Sequence, residues 1–267
     1  MTTSKPWYEA AFNEDYLERY AHRDREEARR IVRLFTQRTS LPEDAIVMDL
    51  CCGAGRHAAA LRLEGYQVAG LDLSSDLLGA ARRFFREEVG CGCDEADPDN
   101  CPYFVRADKR YHPFRDGRFD AVTHFFTAFG YFDDDEENFA VFDQVRRVLK
   151  PDGYYLFDFL SEPMIRREFA DCDSVEAEED FDDGTYVATR KRLSPDQRRI
   201  EKDVTFYHHG KKVRHFTESV RLFSPEELRT ALKARGLEIC EEWGAYDGTA
   251  YRADKSGRWI ALSRKVE

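Results

Sequence analysis

The sequence predicts an α/β fold: a Rossmann-like, seven-stranded, mostly parallel sheet with helices on both faces, plus a small inserted antiparallel β-sheet. Three observations predict it. Short apolar runs such as AIVMDL and YYLFDFL alternate with helical patterns between residues 45 and 160, as in a parallel sheet covered on both faces. A glycine-rich turn follows the first run and opens a helix, leaving free backbone N–H groups at the helix start. Beyond residue 164 the apolar period becomes 2, the period of antiparallel strands.

Taken in order, residues 14–38 carry an apolar stripe (Leu17, Tyr20, Ala28, Ile31, Val32, Phe35) at helical spacing. Leu41-Pro42 ends it, and residues 45–50 form a buried strand. Residues 56–64 are helical and stop at Gly65. Strand 67–71 and a helix over 74–88 follow, with Ser74 or Ser75 as N-cap. A loop over 90–102 leads to strands 103–106 and 119–125, a helix over 136–149, a turn at Lys150-Pro151-Asp152-Gly153 and a strand to 159. Residues 171–183 carry eight acids in thirteen positions and are expected to be an exposed loop. Strands 185–193, 200–208 and 212–223 form the inserted sheet. Ser224-Pro225-Glu226-Glu227 opens a last helix that ends at Gly236, and strands 237–243 and 259–263 complete the chain.

The chain has 267 residues, 42% hydrophobic and 35% charged, with a formal charge of −11 from 52 acids and 41 basic residues. That apolar content excludes general disorder. The acidic balance disfavours nucleic acid and anionic membranes as partners. No apolar run approaches the roughly 20 residues that span a bilayer, and the first twenty residues lack a signal-peptide core, so a cytoplasmic location is expected. Seven cysteines, an odd number, read as reduced thiols. Cys91, Cys93 and Cys101 leave a metal open, but no second pair completes a zinc spacing. His208, His209 and His215 read as a solvated hairpin. The expectation is no metal.

The chemistry gathers around Asp49-Leu50-Cys51-Cys52-Gly53-Ala54-Gly55-Arg56. Glycines permit a close approach of backbone to ligand. Gly53 to Ala58 also fits a dinucleotide-binding pattern, which is weak evidence alone. Asp49 stands where a pyrophosphate would be disfavoured. Asp72 ends the next strand, where a carboxylate can hold both hydroxyls of a ribose. The pocket therefore suits an adenosine without phosphates. Asp108, ending the third strand, is placed to receive an adenine amino group.

These motifs resemble those of class I S-adenosylmethionine-dependent methyltransferases. VMDLCCGAGRHAAAL is similar to their first motif, GLDLS to the second, RADKRYHPF to the third, FDAVTHFFTAFGYFDD to the fourth, and LKPDGYYLFDF to the strand-five signature. SPEELRTALKARGLEICEEWGAYDG resembles their last helix and strand pair. Cys51 departs from the usual glycine and fits a branch with D-L-C-C-G-x-G-R-H and F-T-S-F-G-Y-F motifs, to which WYEAAFNEDYLERYAHRD also bears likeness.

The resemblance implies S-adenosyl-L-methionine as cofactor and a small-molecule methyl acceptor. Cys51, Gly53 and Gly55 are expected to contact the methionine part of the cofactor through backbone, with Asp49 and Arg56 also in the cofactor site. Asp72 and Leu73 would meet the ribose and adenine, and Asp108 and Lys109 would flank the base. His124, Phe125 and Phe126 would lie beneath the sulfonium, and Tyr16, Tyr20 and Arg23 would close over the cofactor. His124 is the candidate general base, or else a satisfied structural histidine; Tyr131 is the other catalytic candidate. Asp133, Tyr246, Asp247 and Tyr251 are candidate acceptor-pocket residues, or turn residues in the last three cases.

The resulting division is an N-terminal helical segment (1–42), a cofactor-binding core (43–163), an inserted sheet covering the substrate (164–223) and a closing helix and strand pair (224–267). A nicotinamide dehydrogenase, a non-catalytic cofactor-binding protein and a methyltransferase of nucleic acid or protein remain as rivals.

Overall fold

The computed structural model describes residues 6–12, 25–90, 103–181 and 184–267. The calls on Tyr16, Tyr20, Arg23, Cys91, Cys93 and Cys101 lie outside the described residues. The main sheet has seven strands: β1 (Ile46–Leu50), β2 (Gln67–Asp72), β3 (Tyr103–Arg106), β4 (Phe119–His124), β5 (Leu149–Leu160), β10 (Leu237–Trp243) and β11 (Arg258–Lys265). Their spatial order is β10-β11-β5-β4-β1-β2-β3. Strands β1 to β5 run parallel to one another, while β11 runs antiparallel to both β5 and β10.

The helices pack as the apolar spacing requires. Arg25–Arg38 (α2) turns Ala28, Ile31, Val32, Leu34 and Phe35 inward. Helix α3 (Arg56–Leu63) and helix α4 (Ser75–Val89) bury the same face, with Ser74 capping α4 by accepting from Leu77 N–H at 3.2 Å. On the opposite face, α5 (Asp135–Val148) and α7 (Pro225–Ala234) cover a dense aromatic core that includes Phe129, Phe142, Phe157 and Trp259. Helix α7 begins with a capping box between Ser224 and Glu227. Two short helices remain: α1 (Trp7–Ala11) and α6 (Glu162–Glu168).

The inserted sheet has four strands, in the order β6 (Val175–Asp180), β7 (Thr185–Leu193), β8 (Arg199–His208) and β9 (Lys211–Arg221), all antiparallel. Strand β6 corrects the expectation of an acidic loop. Its acids lie on an edge strand, where charged side chains are tolerated and discourage further pairing. One of them is also matched by the neighbouring strand: Glu176 stands opposite Arg190, 3.6 Å from it. The expected turn at 150–153 lies within β5, as an irregularity in its pairing with β4 that includes Asp152 at φ 61°. Among the described residues, no helix is long and apolar enough to cross a membrane.

Candidate active site

Loops leaving the carboxyl ends of β1, β2, β3 and β4 enclose a cavity of about 820 Å³, closed on its outer side by α1 and the inserted sheet. This is the end of a parallel sheet at which α/β proteins bind ligands, and the volume is typical of a small-molecule site.

The inner wall is mostly backbone. In the β1–α3 turn, Cys51 (φ 59°) and Gly53 (φ 53°) adopt the left-handed conformation, and a Cβ at Gly53 would meet nothing within 4 Å. Gly53 thus presents bare backbone to the cavity. Gly55 does different work. At φ 83°, its missing Cβ would come within 3.0 Å of the Ala81 Cβ, so it lets α3 pack against α4, and it does not line the cavity.

Asp72 braces the turn from the end of β2. Its carboxylate accepts from Gly53 N–H and Ser74 N–H, each at 2.9 Å. Burial raises its pKa, and those backbone N–H groups oppose the rise. Leu73 lines the cavity beside it. Asp49 lies beneath the turn and outside the cavity lining; Thr123 Oγ1 donates to its Oδ1 at 3.3 Å. Burial pushes its pKa up to about 8.

Asp108 and Lys109 also reach the cavity. Asp108 is gripped by Arg110, whose Nη2 donates at 2.7 Å and whose backbone N–H donates at 2.8 Å. Burial raises the Asp108 pKa, but the Arg110 contacts outweigh it and hold the carboxyl below its usual range. Lys109 Nζ donates to Ala128 O at 2.7 Å and lies 3.9 Å from the centre of the Tyr131 ring. Burial lowers its pKa.

His124 stands elsewhere. It is fully buried and outside the cavity lining, with Nε2 2.8 Å from Ala128 O and Nδ1 3.0 Å from Tyr155 Oη. A ring nitrogen facing a carbonyl must carry the proton, which assigns Nδ1 as acceptor from Tyr155. Burial, aided by Lys109, depresses its pKa to about 3. The ring is placed as a core histidine, with both nitrogens engaged and no route to an acceptor.

The loop after β4 forms the floor. Phe125 stacks on His57 at 4.1 Å, and Arg56 lies 5.6 Å from the Phe126 ring centre. Phe126 and Thr127 are consecutive left-handed residues at φ 61° and 62°, each costing about 1–2 kcal/mol. Buried Asp158 holds them there. It accepts from Phe126 N–H at 2.9 Å and Tyr246 O–H at 2.6 Å, its carbonyl accepts from Thr127 N–H at 3.1 Å, and it pairs with Arg258. Arg258 Nη2 in turn donates to Thr127 Oγ1 at 2.9 Å. Tyr246 therefore works behind the floor. Asp133, Tyr246, Asp247 and Tyr251 all lie outside the lining.

The outer wall is mostly side chains. Tyr131 packs with Trp7, Tyr8 and Phe12, at centroid distances of 4.8, 6.0 and 6.0 Å. The indole N–H of Trp7 is buried without a partner among the described residues. Lys191, Ile200, Lys202, Glu218 and Val220 project from the inserted sheet. Of these nine residues sequence reasoning assigned Tyr131 and so left most of the outer wall unread; the aromatic cluster in WYEAAF was the available signal. Among the described residues, no group of three or more His, Cys, Asp or Glu side chains is arranged to hold a metal ion.

A family profile described as a methyltransferase domain matches residues 47–153. A Streptomyces venezuelae protein named dTDP-3-amino-3,4,6-trideoxy-alpha-D-glucopyranose N,N-dimethyltransferase is 32% identical over 210 residues, covering 76% of this chain and 79% of that one. The chain belongs to the S-adenosylmethionine-dependent methyltransferases. An S-adenosylmethionine-dependent methyltransferase from Clostridium acetobutylicum shares the fold of this methyltransferase at TM-score 0.76 and 19% identity, covering 95% of this chain and 98% of that one. So does CalS10, an amino pentose methyltransferase of Micromonospora echinaspora solved with S-adenosylmethionine bound, at TM-score 0.63 and 22% identity, covering 100% and 99%.

S-adenosylmethionine is therefore the methyl donor. The residues fit it: Gly53 leaves open space where a side chain would stand, and beside it Asp72 offers a carboxylate at a strand end. The Asp108–Lys109 side of the cavity borders the same turn.

Proposed function

We propose that this methyltransferase transfers a methyl group to an amine nitrogen of a small molecule held between Tyr131 and the inserted sheet. One observation carries the reading: the cavity beyond the β1–α3 turn is covered by α1 and the sheet, which leaves room for a small molecule and not for a broad macromolecular surface. The absence of a reachable imidazole at His124 favours a nucleophile that needs no strong base, and a neutral amine meets that condition. The names of the Streptomyces and Micromonospora relatives, an amino-sugar dimethyltransferase and an amino pentose methyltransferase, agree with that chemistry.

In this reading Asp72 holds the ribose hydroxyls, Gly53 and Cys51 meet the methionine end, and Leu73, Asp108 and Lys109 border the adenine. When bound, S-adenosylmethionine supplies a methyl carbon activated by a sulfonium. The residues of the chain orient the reaction around it. The Phe126–Thr127 floor, fixed by Asp158 and Arg258, sets the line between donor and acceptor. Tyr131, Trp7, Tyr8 and Phe12 exclude water from that line. The ammonium proton formed on transfer leaves to solvent.

The test is a set of acceptors supplied with the donor and read by mass spectrometry: amino sugars, their hydroxyl analogues, a peptide mixture and a single-stranded oligonucleotide. Methylated amino sugars are expected. Transfer confined to hydroxyl analogues, peptide or oligonucleotide would overturn the proposal.

A further inference from the structure

A seam joins the start of β8 and the end of β9 to the loop between β4 and α5. Gly130 makes the close approach possible. At φ 81°, a Cβ there would stand 2.8 Å from Arg221 O, and the Gly130 carbonyl accepts from Arg221 N–H at 2.7 Å. Arg199 and Arg221 stand directly opposite one another on β8 and β9. Like charges so placed disfavour the pairing unless each is answered elsewhere. Arg221 is answered by carboxylates, Asp135 at 3.1 Å and Glu227 at 2.8 Å. Arg199 is turned on backbone instead. Its Nη1 donates to Phe132 O at 3.1 Å, and its Nη2 is shared among Gly130 O at 3.2 Å, Tyr131 O at 3.4 Å and Ser219 O at 2.9 Å. Its Nε donates to Ser219 Oγ at 2.8 Å. The ion pair of Arg199 with Asp133 is long, at 3.8 Å, and that carboxylate is exposed.

The residues in this grip adjoin the cavity or line it. Period 2 puts Arg199 and Ser219 on the face of the sheet away from the cavity. Their chain neighbours Ile200 and Val220 stand opposite each other and line it. On the core side, Tyr131 and Phe132 line the cavity themselves, whereas Arg199 does not. The guanidinium thus joins the two halves of the acceptor seat from behind. A planar group with five donors in fixed directions holds several carbonyls in one arrangement, which a lysine ammonium on a flexible stem does not. We propose that Arg199 is a positioning residue for methyl transfer: it fixes Tyr131 relative to Ile200 and Val220, and so sets the acceptor against the methyl carbon. The proposal rests on reading the space between Tyr131 and the inserted sheet as the acceptor site.

Three measurements on the full chain test it: methylation kinetics with an amino sugar, calorimetry of S-adenosylhomocysteine, and fluorine NMR with 3-fluorotyrosine in place of Tyr131. Arg199→Lys is expected to lower kcat about tenfold or more and to shift the fluorine resonance. Donor KM, S-adenosylhomocysteine affinity and circular dichroism stay as in wild type. Ser219→Ala, which removes one partner of the guanidinium and keeps the charge, is expected to act in the same direction by a smaller factor. Arg198→Ala breaks a neighbouring ion pair to Asp135 in the same seam and is expected to leave kcat and the resonance unchanged. A seam that only holds the fold together would lose stability in these variants and keep kcat. That result, or an unshifted resonance in Arg199→Lys, would overturn the proposal. Should Arg199→Lys not fold, Ser219→Ala decides by the same two readouts. Failure of every amino sugar with the wild type would instead remove the acceptor reading, and the fluorine signal still decides whether Arg199 sets Tyr131.

Discussion

The inner and outer walls of the cavity are built on different principles. The inner wall is backbone at strand ends, locked by carboxylates that bond to main-chain N–H groups: Asp72 to Gly53 and Ser74, Asp158 to Phe126. The outer wall is a set of side chains on a five-residue helix and one face of an antiparallel sheet. A wall of braced backbone suits a ligand common to a whole family. A wall of exchangeable side chains suits an acceptor that differs between members. Substitutions in the first wall should disturb donor binding or stability, and those in the second only acceptor use.

The largest effect is expected at the floor. Arg258→Ala leaves Asp158 charged, buried and without its cation, a loss of about 3–5 kcal/mol measurable by denaturant unfolding. A change below about 1 kcal/mol would mean that the ion pair does not secure the left-handed residues. Next, Asp72→Ala should weaken S-adenosylhomocysteine at least a hundredfold, about 3 kcal/mol, while circular dichroism stays native. Unchanged calorimetric affinity would remove Asp72 from the donor site. The two glycines of the turn separate binding from packing. Gly55→Ala, crowding Ala81 at positive φ, should cost about 2 kcal/mol of stability. Gly53→Ala should spare more of that stability and mainly weaken donor binding, and equal melting temperatures for the two variants would contradict the distinction.

The smallest effect is a slope. His124 and His112 are buried with pKa values depressed to about 3 and about 4, in each case first by desolvation. Below the ordinary histidine value near 6.5 the unfolded chain binds protons that the folded chain does not. Stability therefore falls as pH drops from about 6.5 toward 4, by up to ~1.4 kcal/mol per pH unit for each group. Replacing His124 by Gln should flatten the slope by about one proton. A pH profile identical to wild type would show that the ring titrates normally.

How far each wall was legible follows from the same contrast. The β1–α3 turn, Asp72 and the strand–helix alternation behind them were readable because tight turns and strand ends demand particular residues at fixed spacing: glycine at positive φ, an acid where N–H groups converge. The outer wall sets no such demand. Period-2 alternation says that Lys191, Lys202 and Glu218 share a face with Ile200 and Val220, but not what the face looks upon. The acids of β6 read as a loop because their partner strand, with Arg190 opposite Glu176, lies beyond the next turn. His124 read as a candidate base from its place at a strand end, and only the third dimension shows Tyr155 and Ala128 occupying its two nitrogens. Trp7, Tyr8 and Phe12 lie more than a hundred residues before Tyr131, a separation that local pattern does not bridge.

The division into a donor wall and an acceptor wall is tested most directly by a crystal structure with S-adenosylhomocysteine bound. The ribose hydroxyls should lie within hydrogen-bond distance of the Asp72 carboxylate, with the sulfur beside Cys51 and Gly53 and facing Tyr131 and the inserted sheet. A ribose remote from Asp72, or a sulfur turned away from the sheet, would contradict the account.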